Sequence, residues 1–293
     1  MPKGYYLTKE HRLAGQGAIL LCAVLWSTSG LFIKLVDWNP VVIAGSRSFV
    51  AAIFLLTLRF FGRRKQAPGQ GSILCLTAGG FNYAATMIIF VIANKLTASA
   101  NAILLQYSSP VWAALLGWLL IKEKPHWEQW GALVMVSFGM LLFFRNGLEG
   151  GGLLGDCLAL VSGLSFGANS VIMRMQKDGS PMNIMLLSHV ICALFSIPFV
   201  FLYPPSPGAG SILCILFMGI FQIGAASALF AYGIRRIPAV QSLLTATIEP
   251  VLNPVWVLAV TGEKPAPSAL VGGGVIVAAV VISSIIGKRR ETA

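Results

Sequence analysis

Charged residues are scarce in this sequence, since Asp, Glu, Lys and Arg together make up 11% of its 293 residues. A soluble globular protein carries roughly 25% charged residues because its surface must face water. Only three histidines occur, with no HExxH motif, no phosphate-binding loop and no nucleophile elbow in a strand–turn–helix context. These absences argue against a membrane enzyme and an ATP-driven pump, and we expect no cofactor and no metal.

The sequence also lacks closely spaced cysteine pairs. The five cysteines lie in or beside apolar segments and include no CxxC pair, so neither a disulfide framework nor a zinc site is indicated. They are Cys22, Cys75, Cys157, Cys192 and Cys214.

Long apolar runs are abundant: 56% of the residues are hydrophobic and the mean hydropathy is +0.80. Runs of about 20 apolar residues cross a hydrocarbon core roughly 30 Å thick as helices. We therefore predict an all-α polytopic membrane protein with ten transmembrane helices, named spans 1 to 10. Their predicted bounds are 14–36, 41–61, 72–93, 98–121, 129–145, 153–174, 182–203, 210–232, 238–260 and 268–287.

The basic residues are divided unequally between the two sides of the membrane. Ten spans place both termini on one side, whose ends and loops hold 16 Lys and Arg against four on the other, with Arg47 inside span 2. The positive-inside rule then predicts that both termini are cytoplasmic. The net charge of +11 comes from these short clusters, not from one continuous patch, so we expect no nucleic-acid partner.

The chain repeats itself at an offset of 140 residues. The matched features include Trp26 with Phe166, Pro110-Val111 with Pro250-Val251, and Glu123-Lys124-Pro125 with Glu263-Lys264-Pro265. Each half holds five spans, an odd number, so the second copy enters the membrane inverted. We place the two halves at residues 1–146 and 147–293. Two inverted repeats are typical of secondary transporters, whose substrate site lies between the repeats near the midplane.

Several short motifs stand in a characteristic order along the chain. They are Leu25-Trp26-Ser27 in span 1, Arg47 in span 2, Pro110 through Glu123 across span 4, and Glu249-Pro250 and Gly262-Glu263 around span 9. Over nearly its whole length the chain resembles the drug/metabolite transporter superfamily, in its ten-helix form with two EamA repeats. The resemblance implies export of metabolites or amino acids across a bacterial inner membrane, commonly driven by proton exchange or a substrate gradient. It does not specify the substrate.

Glu249 is the only one of the ten acidic residues that lies away from helix ends and loops. It is about 16 Å into span 9 at 1.5 Å per residue, near the midplane. A carboxylate there costs roughly 2.5–3.5 kcal/mol and should face a cavity or a partner. We predict that Glu249 is a coupling residue that exchanges a proton or binds a substrate ammonium. The alternative is a structural glutamate, either neutral and hydrogen-bonded or paired with a base.

Other polar residues accompany Glu249 at three- and four-residue spacings along span 9, and span 4 carries a comparable set. Among them we predict substrate contacts for Gln106 and Tyr107 in span 4 and for Gln241 and Thr245 in span 9. Small hydroxyl groups also hold membrane helices together, so packing is the alternative for them.

Pro110 and Pro250 occupy equivalent positions in the middle of spans 4 and 9. Each removes a backbone donor, which frees the carbonyl groups of Gln106 and Ala246. Irregular backbone at this depth is tolerated where it lines a cavity, and paired interruptions point to a transport site. We predict that both prolines are hinges, with a kink that only serves packing as the alternative.

Spans 1, 3, 6 and 8 complete the predicted substrate site with aromatic and amide side chains. These are Trp26, Asn82, Tyr83, Asn169 and Gln222. An apolar cavity with a few hydrogen-bonding groups suits amino acids or aromatic compounds, although any single aromatic residue can equally be a packing residue.

Two further ionisable residues lie within spans and are expected to be structural. Arg47, about 10 Å into span 2, is expected to snorkel outward or to pair with a helix C-terminus. His189 in span 7 is expected to be a hydrogen-bonded structural residue, with proton transfer as the alternative.

Together these features predict a secondary transporter that exports small organic metabolites by alternating access, with amino acids as the leading substrate class. A lipid flippase and a passive channel for small polar solutes are the alternatives. The expected partners are a small-molecule substrate, protons and the lipid bilayer. The sequence leaves the oligomeric state open, and a monomer is the simplest expectation.

Overall fold

The computed structural model describes residues 9–61, 72–97, 99–144, 152–177, 180–261 and 267–290. In these ranges every regular element is helical, and the helices occupy the ten predicted spans with ends shifted by a few residues. The bounds, in chain order, are Lys9–Trp26 with Ser29–Leu35, Pro40–Phe61, Ile73–Leu96, Ser99–Gln106 with Ser109–Ile121, Trp127–Phe144, Leu153–Met175, Pro181–Leu202, Ala209–Ile234, Ala239–Ala246 with Ile248–Thr261, and Pro267–Arg290.

The composition of these helices fits a membrane. Six segments are each long and apolar enough to cross one, and they are Glu10–Leu35, Pro40–Phe61, Ile73–Leu96, Leu153–Met175, Pro181–Leu202 and Ala209–Ile234. Three shorter apolar helices lie in spans 4, 9 and 10. Large apolar side chains point outward, such as Phe60 (83% exposed) and Phe201 (79% exposed), where lipid would cover them. The prediction of an all-α polytopic membrane protein is confirmed.

The packing of the spans follows a twofold relation between the repeats. Span 1 packs against spans 8 and 9, and its equivalent in the second repeat, span 6, packs against spans 3 and 4. Span 2 packs against span 7, and span 5 against span 10. The main contacts between unlike spans of the two repeats therefore occur in matching pairs, and spans 2 and 5 pack against their own equivalents, spans 7 and 10.

Loop contacts define the two faces of the bundle. On the face opposite the termini, here the distal face, the Trp38 indole donates to the Ser206 carbonyl at 3.0 Å and the Lys95 ammonium donates to the Val36 carbonyl at 2.8 Å. On the face of the termini, here the terminal face, the Gln176 amide donates to the Ser72 carbonyl at 2.7 Å. Loops predicted to share a side thus touch one another.

The second half departs from strict symmetry in span 8. Residues Met218–Ala225 form a π-helix, whereas the corresponding part of span 3 is regular α-helix. Gly219 permits this segment to lie close to span 2, because a Cβ there would be 2.4 Å from the Val50 Cβ and 2.9 Å from the Arg47 carbonyl oxygen. π-Helical turns often occur at functional sites.

Candidate functional site

A cavity lies between the two repeats, about halfway along the spans and toward the distal face. Its free volume is about 60 Å³, which holds roughly four water molecules. An amino acid would enter only if the surrounding helices moved apart. The lining residues come from both repeats and are Trp26, Ser29, Arg47, Tyr83, Thr86, Met87, Phe90, Gln106, Phe166, Gln222, Ile223 and Glu249.

Spans 4 and 9 are interrupted at equivalent positions beside this cavity. The helix of span 4 ends at Gln106 and resumes at Ser109, and the helix of span 9 ends at Ala246 and resumes at Ile248. Tyr107 and Thr247, 140 residues apart, therefore both fall in the interruptions. Each interruption precedes the proline of its span by three residues, where a missing backbone donor weakens the helix.

Tyr107 joins the two interruptions. Its hydroxyl oxygen is 2.9 Å from the Ala246 carbonyl oxygen and 2.5 Å from Oε2 of Glu249. The Ala246 carbonyl is the group that Pro250 leaves without a backbone donor, so Tyr107 replaces the lost hydrogen bond. Tyr107 is 6% exposed and Glu249 7% exposed, so these contacts are buried away from bulk solvent.

Tyr107, Glu249 and the Ala246 carbonyl form a triad. The number of hydrogens that it can share depends on whether Glu249 is protonated. A tyrosine hydroxyl has one hydrogen to donate, whereas an ionised carboxylate and a carbonyl are both acceptors. All contacts are satisfied together only when Glu249 carries a proton, donates it to the Tyr107 oxygen, and Tyr107 donates to Ala246. Ionisation of Glu249 leaves one hydrogen for two acceptors. Ionisation of Glu249 would therefore change the hydrogen bonding at the interruption of span 9.

Aromatic rings form the apolar part of the site. The Trp26 ring centroid is 5.5 Å from that of Phe166 and 5.2 Å from that of Phe230, and the Tyr83 ring stacks on Phe166 at 6.1 Å. Trp26 and Phe166 are equivalent residues of the two repeats, so this contact joins the repeats at matching positions. Such rings form a wall that suits an apolar side chain.

Of the ten predicted substrate-binding residues, five line the cavity: Trp26, Tyr83, Gln106, Gln222 and Glu249. Tyr107 reaches the site through Glu249. The Gln106 amide is also held, because it donates to the Ser162 hydroxyl at 2.8 Å.

The other four predicted residues do not line the cavity. The Asn82 amide donates to the Ser165 carbonyl at 2.7 Å, and the buried Asn169 amide lies 3.5 Å from the sulfur of Met173. Thr245 donates to the carbonyl of Gln241 at 2.8 Å, and the Gln241 side chain is near that of Gln129. In this conformation Asn82 and Gln241 contact other spans, whereas the contacts of Asn169 and Thr245 stay within their own helices.

Arg47 belongs to the cavity although the sequence did not predict it there. It is 2% exposed and donates through Nη1 to Oε1 of Gln222 at 3.3 Å, so the expectation that it snorkels outward is wrong. The π-helix of span 8 carries Gln222 to this position. The sequence did contain a signal for this position. Arg47 is the one basic residue that the predicted topology places inside a span and not at a helix end or in a loop.

His189 forms a separate buried contact. Its Nε2 is 2.9 Å from the Ser227 hydroxyl, which ties span 7 to span 8, and it does not line the cavity. Among the described residues, no group of three His, Cys, Asp or Glu side chains could hold a metal ion.

An ion-pair network joins the two repeats on the terminal face. Arg174 donates through Nε to Oε1 of Glu123 at 2.8 Å, and through Nη1 to the carbonyls of Ile234 and Arg235 at 3.1 and 3.2 Å. Arg235 in turn donates to the Lys177 carbonyl at 2.9 Å. Glu123 ends span 4, so the network fastens the first repeat to spans 6 and 8. The matching motif at Glu263 lies outside the described residues.

Comparison with known proteins gives a consistent result over nearly the whole chain. The model of the EamA-like transporter family matches residues 13–145 and 153–285. An uncharacterized transporter of Archaeoglobus fulgidus is 27% identical over 92% of this chain and 96% of its own. The uncharacterized transporter YwfM of Bacillus subtilis is 22% identical over 94% and 95%.

More distant similarities extend to a human protein and to a solved structure. Solute carrier family 35 member G1 of Homo sapiens is 26% identical over 53% of this chain and 46% of its own. A solved crystal structure superposes with a TM-score of 0.78 over 97% of this chain and 100% of that chain, at 18% identity. That likeness concerns the fold alone.

Proposed function

Because this chain belongs to the EamA-like transporter family, we propose that it is a secondary transporter that exports small organic metabolites, with amino acids as the leading substrate class. Transport proceeds by alternating access: the two repeats move relative to each other about the cavity and expose it to one side at a time. Family membership supports the transporter class, and the chemistry of the cavity supports the substrate class.

The observation that carries this proposal is the Tyr107–Glu249–Ala246 triad. It places a carboxyl group inside a cavity at the point where interrupted helices of the two repeats meet. Interrupted helices at equivalent positions accompany midplane substrate sites in inverted-repeat transporters. Glu249 either exchanges a proton or binds the ammonium group of the substrate, and the aromatic wall receives an apolar side chain.

We also propose how the protein is oriented in the cell. The protein lies in a bacterial inner membrane with both termini cytoplasmic, as the 16 basic residues that the sequence assigns to the side of the termini favour. The Glu123–Arg174 network then closes the cytoplasmic side in this conformation. A C-terminal fusion to green fluorescent protein should fluoresce, and a C-terminal alkaline phosphatase fusion should be inactive. The opposite pair of results would reverse the orientation.

Counterflow in proteoliposomes tests the function itself. Vesicles containing the purified protein are loaded with unlabelled amino acids, and the uptake of labelled threonine, methionine and phenylalanine is followed. We expect saturable, transient accumulation of at least one tracer, which a carrier produces and a passive channel does not. Vesicles without protein provide the control. Absence of accumulation with folded protein would remove amino acids as the leading substrate class, and scrambling of labelled lipid would favour a flippase.

A further inference from the structure

Arg47 is a buried cation that no anion of the described chain neutralises. Its side chain is 2% exposed and lies in span 2, about 10 Å from the distal end of the helix. Nη1 donates to the neutral amide oxygen of Gln222, while Nε has no hydrogen-bond partner in the part of the chain that the structure describes. No carboxylate in the described ranges forms an ion pair with it.

Such a side chain is costly to retain within a membrane unless something compensates it. Charged residues at this depth pair with an opposite charge, line a water-filled space, or contact a substrate. A guanidinium presents several N–H donors in a planar fork that matches a carboxylate. One neutral acceptor at 3.3 Å leaves most of that capacity unused.

A second unsatisfied group lies in the same cavity. The Ser29 side chain is 2% exposed, its hydroxyl has no partner among the described residues, and it lines the cavity together with Arg47 and Gln222. An arginine fork, an amide and a hydroxyl thus converge there from spans 1, 2 and 8. All three side chains carry N–H or O–H donors, as an anion-binding site requires.

Arg47 is not repeated in the other half, although Ser29 and Gln222 have polar equivalents in Asn169 and Asn82. The equivalent of Arg47 in the second repeat is Leu187, which packs on Gly80, where an added Cβ would be 2.7 Å from the leucine Cδ2. The equivalent of the π-helix that carries Gln222 is an ordinary α-helix. A role in holding the fold together would apply to both halves, whereas one substrate needs a single anion site.

We propose that Arg47, with Gln222 and Ser29, binds the carboxylate group of the transported substrate. This inference rests on the proposed function as a small-molecule transporter, and it specifies which end of the substrate lies where. Glu249 lines the same cavity, so a substrate with a carboxylate and an amine has an opposite charge available for each. A carboxylate fits better than a phosphate, because the cavity offers one cation and also contains an acidic group.

Four probes that share one aromatic ring separate these requirements. They are phenylalanine, 3-phenylpropionate without the amine, phenethylamine without the carboxylate, and phenyl phosphate. Binding to the full-length protein in lipid nanodiscs is measured by thermal stabilisation and by competition with labelled phenylalanine. In the wild type we expect phenylalanine and 3-phenylpropionate to bind at least tenfold more tightly than phenyl phosphate, and phenylalanine more tightly than phenethylamine.

Substitution of Arg47 should alter this pattern selectively. Arg47→Met removes the charge but keeps a side chain of similar length. It should lower the affinity for both carboxylate probes at least tenfold and leave the affinity for phenethylamine unchanged. Arg47→Lys keeps the charge without the fork and should give an intermediate loss. Arg59→Met is the matched control, since Arg59 is an exposed arginine of the same helix that donates to Asn183 at 2.9 Å, and it should leave all four affinities unchanged.

Several results would overturn the proposal. In the wild type these are equal binding of phenylalanine and phenethylamine, no binding of either carboxylate probe, or tighter binding of phenyl phosphate. Unchanged carboxylate affinity in folded Arg47→Met would do the same, and if that variant does not fold, Arg47→Lys and the wild-type competition series decide. Arg47-dependent binding of 3-phenylpropionate without amino-acid counterflow would refute amino-acid transport but keep this site. If phenylalanine counterflow occurs but Arg47→Met leaves the carboxylate affinity unchanged, the carboxylate site would be refuted and amino-acid transport would stand.

Discussion

Tyr107 and Glu249 belong to opposite repeats, and their side-chain oxygens are 2.5 Å apart. The same tyrosine hydroxyl is 2.9 Å from the Ala246 carbonyl that Pro250 leaves without a donor. One phenol group thus connects the midplane carboxyl, the interruption of span 9 and the interruption of span 4. Any change in the protonation of Glu249 alters how this single hydroxyl is shared.

Replacing Glu249 by Gln should separate substrate binding from coupling. Glutamine keeps the size and hydrogen-bonding capacity of a protonated glutamate but cannot release a proton. We expect the counterflow rate to fall by roughly tenfold or more, which corresponds to about 1.4 kcal/mol, and the remaining rate to lose its dependence on pH. Transport is measured between pH 5.5 and 8.5. A rate and a pH profile equal to those of the wild type would show that Glu249 has no coupling role.

Tyr107→Phe should destabilise the protein and slow transport. It leaves the Ala246 carbonyl and Glu249 without their shared hydroxyl, and an unsatisfied buried group costs about 1–3 kcal/mol. Thermal unfolding in detergent and the counterflow rate are the two measurements. Tyr232→Phe is the control, because the Tyr232 ring contacts the Arg236 guanidinium at 3.4 Å through its face, which phenylalanine retains. Equal behaviour of the two variants would contradict the role of the Tyr107 hydroxyl.

The Glu123–Arg174 ion pair should act on the rate of conformational change more than on stability. Its side chains are 29% and 11% exposed, and such a pair at a protein surface contributes about 0.2–1 kcal/mol. Glu123→Arg should therefore change the melting temperature little but alter the transport rate. Combining Glu123→Arg with Arg174→Glu should restore part of that rate. If the double variant is as impaired as the worse single variant, the pair does not close the terminal face.

Gly219→Ala should displace the π-helix from span 2. Its Cβ would be 2.4 Å from the Val50 Cβ and 2.9 Å from the Arg47 carbonyl oxygen, and such overpacking costs about 1–3 kcal/mol. We expect a lower melting temperature and a weaker Arg47–Gln222 contact. Gly210→Ala in the same span is the control, since a Cβ there meets nothing within 4 Å. A melting temperature equal to that of this control would argue against the close approach.

The larger features of the fold were predictable because each rests on a periodic or compositional signal. Apolar runs of membrane-spanning length specified the ten spans, and the offset of 140 residues specified which spans are equivalent. The family match over residues 13–145 and 153–285 confirms the predicted resemblance to the drug/metabolite transporter superfamily. Pro110 and Pro250 predicted irregular backbone, and the interruptions at Tyr107 and Thr247 lie one turn before them, where the carbonyls lose their donors.

The composition of the cavity was less predictable, because it depends on the direction in which each side chain points across a helix interface. Asn82 and Gln222 are equivalent in sequence, yet Gln222 lines the cavity and Asn82 donates to the Ser165 carbonyl instead. The difference accompanies the π-helix of span 8, and the sequence of that segment did not predict a π-helix. Arg47 was misplaced for a related reason, since hydropathy shows depth in the membrane but not whether a side chain faces lipid or the bundle.

The sequence by itself therefore determined the membrane class, the number of spans and their twofold relation, because these follow from hydrophobicity and repetition along the chain. It also marked Glu249 as unusual, because an acidic residue in the middle of an apolar span is expensive wherever the span packs. Only the tertiary structure decided that Tyr107 would serve both Glu249 and Ala246, and that Arg47 would lie beside Gln222 without an anion. Those relationships join residues more than a hundred positions apart, so packing between helices, and not local sequence, creates them.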